Sequence, residues 1–203
     1  MENYSYNTIK QPVVETILKE KGSKFLGYAY PVKNEEEIKQ ALESIKTDHP
    51  KATHHCYAYR LGLEGEDYRA NDDGEPSGSA GLPIYNQILS SDLTNILVVV
   101  VRYYGGTKLG VGGLVKTYKE SAKLTLEKAK VVTKELESTL ELTFPFNLQN
   151  VAFTILNRFD TQIINFDANE NCQIIAQIKT SQKEQILEQF LEHHQIETNI
   201  RED

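Results

Sequence analysis

The chain has 203 residues, 39% of them hydrophobic, and Leu, Ile, Val and Phe fill 55 positions, enough to build cores and to exclude a disordered chain. Two cysteines, Cys56 and Cys172, exclude a disulfide framework and a CxxC zinc knuckle, so no metal and no other cofactor is expected. The net charge of −7 is unevenly spread: residues 1–134 hold 18 basic and 17 acidic side chains, whereas residues 135–203 hold 4 and 12. That step predicts two domains, 1–134 and 135–203, of which only the first offers a local basic surface and the second repels a polyanion.

Met1-Glu2-Asn3-Tyr4 has neither the basic start nor the apolar run of a secretory signal. The longest apolar run, Ile96 to Val101, is far short of the about 20 residues that span a bilayer, so no membrane partner and a cytoplasmic location are expected. Val13 to Leu18 and residues 24–31 read as a hairpin around Lys21-Gly22-Ser23. Asn34 before three glutamates, with Ile38, Ala41, Leu42 and Ile45 at helical spacing and Pro50 beyond, predicts a capped helix. Residues 52–60 read as a strand with His54, Cys56 and Ala58 on one face and His55, Tyr57 and Tyr59 on the other.

The polar, glycine-rich stretch Glu64 to Gly81 reads as a long surface loop. A short helix opened by Pro83 follows, then Thr94 to Val101, continuously apolar and β-branched as in a strand buried on both faces. A loop with five glycines in nine positions, Gly105 to Gly113, joins that strand to a helix bearing Leu114, Tyr118, Ala122 and Leu126 on one face. Beyond residue 134 the pattern is β-α-β-β-α-β: a strand over 138–144, a helix over 148–159, two strands about Asn169-Glu170-Asn171, a helix over 182–193 and a strand near 196–200.

The glycine corner admits two readings. It is either a turn that lets a helix pack tightly, or a contact for an anion, peptide or nucleic acid made by free N–H groups with Arg102 and Lys108, extended by Lys116 and Lys119. It matches neither the Walker pattern nor GxGxxG, which excludes a nucleotide hydrolase of those classes. Asp72-Asp73-Gly74-Glu75-Pro76-Ser77 is either acid/base or hard-cation equipment, or a solvated turn whose Asp73 and Ser77 cap backbone N–H groups; the EF-hand spacing is absent. His54 and Cys56 share a strand face, the minimum of a thiol nucleophile, but no third group orients them and Cys56 reads better as a small core residue. No catalytic residue is assigned.

Four segments in order, Lys24-Phe25-Leu26-Gly27, Thr53-His54-His55-Cys56-Tyr57-Ala58-Tyr59-Arg60, Asp73-Gly74-Glu75-Pro76-Ser77-Gly78-Ser79-Ala80-Gly81 and Val100-Val101-Arg102-Tyr103-Tyr104-Gly105-Gly106-Thr107-Lys108-Leu109-Gly110, resemble the signature of the IMPACT (YigZ) family. The resemblance covers roughly residues 5–130, and the acidic remainder is similar to the C-terminal domain of the bacterial members. It implies an α+β chain: a domain like the second domain of ribosomal protein S5, then a ferredoxin-like domain similar to the last domain of elongation factor G. It also implies a role in translation, because eukaryotic members regulate translation by competing for the activator of the amino-acid-starvation kinase. The expected function is therefore a non-enzymatic regulator of translation or stress response. It would bind RNA, the ribosome or a translation-related protein through Arg102, Gly105, Gly106, Lys108, Lys116 and Lys119. The alternative is an enzyme or a small-anion or nucleotide sensor. Its cleft would be formed by His54, by Asp73, Glu75 and Ser77 of the acidic loop, and by Arg102 to Lys108.

Overall fold

The computed structural model describes residues 4–169 and 171–202; Met1-Glu2-Asn3, Asp203 and Glu170, the middle residue of the expected Asn169-Glu170-Asn171 turn, lie outside them. Among the described residues run five α-helices and eleven strands, a mixed α/β chain. It divides into two compact units, Tyr6–Lys134 and Glu135–Asp203 with Met1–Ser5.

The first unit is built on a sheet of five strands, β2 (Val13–Glu20), β3 (Ser23–Pro31), β4 (His54–Leu61), β5 (Asp67–Asn71) and β6 (Ile96–Tyr103), in the order β2-β3-β6-β4-β5. Every neighbouring pair is antiparallel. The β2–β3 hairpin turns at Lys21 and Gly22, with φ of 44° and 79°, the left-handed pair that matches strand twist. β6 lies at the centre, and its residues Ile96 to Val101 are all 0% exposed. Ile96, Val98 and Val100 pack with Ile84 and Ile88 of α2 (Gly81–Ser90) and Leu114, Tyr118 and Ala122 of α3 (Gly110–Glu127). Leu97, Val99 and Val101 pack with Ile38 and Ile45 of α1 (Glu35–Asp48). Helices on both faces explain why the run is apolar at every position rather than alternating.

α1 starts as its sequence dictates: the Asn34 side chain accepts from the Glu37 N–H at 2.9 Å, and the Glu37 carboxylate accepts from the Lys33 N–H at 2.8 Å. Three features depart from expectation. A short sheet joins β1 (Ser5–Ile9) to β7 (Val131–Glu135), pairing segments too far apart in sequence for local pattern to reveal. β5 forms inside the stretch read as a loop, because β4 supplies a partner for its backbone. Gly110, with φ of 74°, opens α3, and Gly112 and Gly113 lie within it, held helical by the buried face that follows them, so the connecting loop is shorter than the glycine count implied.

The second unit runs β8 (Glu137–Phe144), α4 (Gln149–Arg158), β9 (Gln162–Ala168), β10 (Cys172–Lys179), α5 (Lys183–Leu191) and β11 (Glu197–Glu202), with sheet order β11-β8-β10-β9. Leu140, Leu142 and Phe144 of β8 and Ile174, Ala176 and Ile178 of β10 point to one face, which Leu156 of α4 and Ile186 and Phe190 of α5 cover. Among the described residues no helix is long and apolar enough to cross a membrane.

Candidate functional site

Arg102 stands near the end of β6, opposite Phe25 of β3 and His54 of β4. The alternation along β6 turns its side chain to the face of α2 and α3, and it is only 5% exposed. A buried guanidinium needs a partner. Its Nη1 donates to Glu75 Oε1 at 2.5 Å and its Nη2 to Ser23 Oγ at 3.4 Å. The rings of Phe25 and Tyr104 lie 5.3 and 5.4 Å from it. Glu75 Oε1 also accepts from the Tyr118 hydroxyl at 2.8 Å.

Glu75 is buried because the segment carrying it folds around the Asp72 carboxylate. Asp72 Oδ1 accepts from the N–H groups of Ala80 and Gly81 at 2.9 and 2.8 Å, and Oδ2 accepts from Gly78 at 2.8 Å. These bonds close the start of α2, so Asp72 rather than Ser77 is the capping residue of the turn. Asp73 caps a backbone N–H as expected, that of His55 at 2.6 Å, and so ties the segment to β4. Ser77 is exposed.

His54 Nδ1 lies 2.7 Å from the Asp73 carbonyl oxygen. A carbonyl only accepts, so Nδ1 carries the hydrogen. Nε2 then faces Glu75 Oε1 at 3.9 Å. Nδ1 thus serves the acidic segment, Nε2 faces it without a hydrogen bond, and neither prepares Cys56 as a nucleophile. Cys56 is fully buried, with Sγ 3.0 Å from the Asp72 carbonyl and 3.3 Å from the Tyr118 hydroxyl. Burial pushes its thiol well above the ordinary cysteine value, which suppresses the thiolate. Burial likewise raises the Tyr118 hydroxyl. The chain Cys56–Tyr118–Glu75–Arg102 had no signal in the sequence, where Tyr118 reads only as one apolar position of a helix. Among the described residues no group of three or more His, Cys, Asp and Glu is placed to hold a metal ion.

The three segments do converge. His54, Glu75, Arg102 and Lys108 line one cavity of about 500 Å³, with Tyr104, Leu109 and Leu114 among its apolar walls. Asp73 supports the cavity through His54. Gly105 is a packing position: its N–H donates to Ser23 Oγ at 3.2 Å, and a Cβ there would strike the backbone of Gly22. Gly106 is exposed, with φ of 86° and open space where a side chain would stand. Lys116 lines a separate depression of about 120 Å³ beside Leu18 and Glu120. Lys119 is exposed and lines neither. Arg102, withdrawn into the core by Glu75, therefore adds nothing to the surface that carries Lys108, Lys116 and Lys119.

The family model of the Impact N-terminal domain matches residues 21–126. The chain belongs to the IMPACT family. It is 40% identical over 133 residues to IMPACT family member YvyE of Bacillus subtilis, a match covering 66% of this chain and 61% of that protein. It is 34% identical over 169 residues to IMPACT family member YigZ of Escherichia coli, covering 82% and 81%. A crystal structure described as that of a hypothetical protein superposes over 100% of both chains with TM-score 0.77 and 28% identity. The span that matches the IMPACT model runs from the Lys21-Gly22 turn to the last turn of α3, and so contains every residue of the cavity.

Proposed function

We propose that this IMPACT-family chain is a non-enzymatic regulator associated with translation that acts by binding a protein partner at the corner after β6. In the same reading the first unit is a domain of the ribosomal protein S5 domain 2 type. The second is a ferredoxin-like domain of the kind that ends elongation factor G, a reading supported by its β-α-β-β-α-β order and antiparallel sheet. The observation that carries the choice of partner is the burial of Arg102 against Glu75, which leaves Lys108 as the cation of the corner. Polyanions gain affinity from several phosphate contacts, and one lysine supplies few. The same corner exposes Tyr104 by 46% and Val111 by 57% beside a cavity, a tyrosine of the kind that anchors protein interfaces with an apolar neighbour.

The test is capture from cell lysate with and without RNase, comparing the wild type with a Tyr104→Asp/Val111→Asp variant. Both side chains are exposed, so the fold is expected to survive, as circular dichroism would verify. The reading predicts RNase-resistant capture that the variant loses. Capture abolished by RNase, with a salt slope of about −0.7 per phosphate on a log-log scale, would return the corner to RNA.

A further inference from the structure

The five-stranded sheet of the first unit ends in β2 on one side and β5 on the other, and the two edges are built differently. An edge strand offers unpaired backbone N–H and C=O groups to any second strand, and proteins usually blunt it. The β2 edge is blunted: its register against β3 breaks between Val13 and Thr16, where Glu15 takes φ of 56°, the kink of a bulge. β5 has no such break and pairs residue by residue with β4, from Tyr57 opposite Asn71 to Leu61 opposite Asp67.

Backbone alternation decides which groups β5 leaves open. The His55 N–H turns away from β6 to Asp73 Oδ2, so the odd-numbered residues of β4 bond towards β5, where they pair with Asp67, Arg69 and Asn71. Tyr68 and Ala70 therefore direct their N–H and C=O groups out of the sheet edge. Side chains alternate as well. Arg69 lies on the α1 face, where it lines a depression with Tyr57 and Tyr59. Tyr68 lies on the α2 face, its ring stacked on that of Tyr85 with centroids 4.8 Å apart. Leu82, Tyr85 and Leu89 form one stripe of α2, and Tyr68, Leu82 and Leu89 are 60%, 49% and 43% exposed, so the open edge carries an apolar ridge.

The sequence of the edge selects its occupant, because Asp67-Tyr68-Arg69 is complementary to itself in antiparallel pairing. With Tyr68 opposite Tyr68 of a second copy, their outward N–H and C=O groups exchange two hydrogen bonds. Each Asp67 then stands opposite Arg69 of the other copy, in the closely spaced kind of cross-strand pair. We infer that this chain forms a two-fold symmetric dimer through β5, which joins two five-stranded sheets into one. The Tyr68, Leu82 and Leu89 ridges lie side by side on one face of the joined sheet, and two Asp67–Arg69 ion pairs lie on the other. None of these residues lines the cavity after β6, so the inference goes beyond the binding of a partner there.

The test is sedimentation of the purified full chain over a concentration series. The wild type is expected to approach twice the mass of one chain as concentration rises. Asp67→Arg and Arg69→Asp each set like charges face to face at both symmetric positions, and each should weaken dimerisation at least about tenfold. Both side chains are exposed, so circular dichroism should be unchanged. Mixed in equal amounts, the two variants restore both opposite-charge pairs and should form a heterodimer, which a damaged fold could not do. A wild type that stays monomeric up to about 1 mM, a variant that dimerises like the wild type, or a mixture that associates no better than either variant alone would overturn the inference. No other protein is present, so the outcome is independent of capture from lysate.

Discussion

Residues 72–81 lead into α2, and residues 104–109 lead into α3; both are glycine-bearing approaches to helices that pack together on one face of the sheet. In the first approach the backbone donors are consumed: Asp72 takes the N–H groups of Gly78, Ala80 and Gly81, and Glu75 passes under the segment to Arg102. In the second the donors at the helix start have no side-chain partner, and the exposed groups are Tyr104, Lys108 and Val111. Composition alone ranks these segments wrongly. The richly charged one is closed and structural, whereas the one with a single lysine is open. What separates them is whether a carboxylate from the same segment can reach the helix start, and only the first contains one.

The largest break in this contrast comes from Arg102→Met. It leaves the Glu75 carboxylate buried without its cation and should cost about 3–5 kcal/mol, read from urea unfolding. Glu75→Gln/Arg102→Met should cost less than the sum of the single changes, because the two residues share one interaction. A cost near zero for Arg102→Met would mean that the guanidinium is solvated and free for a partner after all.

A smaller effect tests how firmly the closed segment is tied to β4. The ring of His55 lies under it, with Nε2 3.2 Å from the His49 carbonyl and Nδ1 3.7 Å from Asp73 Oδ2. Burial holds the His55 pKa below its ordinary value, against the weaker upward pull of the His49 carbonyl and Asp73. The unfolded chain therefore takes up a proton first, so this contribution is complete above about pH 6.5 and is lost as the pH falls below it. The melting temperature of the wild type should drop more steeply on acidification than that of His55→Gln. Parallel curves would remove His55 from the account.

The sequence was most informative where the cause was local. The Asn34 cap and the glutamates after it define α1 within four residues, and six consecutive apolar residues in β6 demanded cover on both faces. The convergence of His54, the acidic segment and the corner was legible too, because each falls beside a strand end. The burial of Glu75 was not legible: its partner Arg102 lies 27 residues away, and a carboxylate amid Asp, Gly and Ser carries no mark of burial. Nor was the helical state of Gly112 and Gly113. Glycine disfavours helix intrinsically, and here the packing of Leu114, Tyr118 and Ala122 overrides that preference.

The open corner is tested most directly by backbone amide hydrogen exchange in the full chain. The account predicts slow exchange at Gly78, Ala80 and Gly81, which Asp72 holds, and fast exchange at Val111 and Gly112, which no side chain caps. Equal protection of both helix starts, or slower exchange at α3 than at α2, would contradict it.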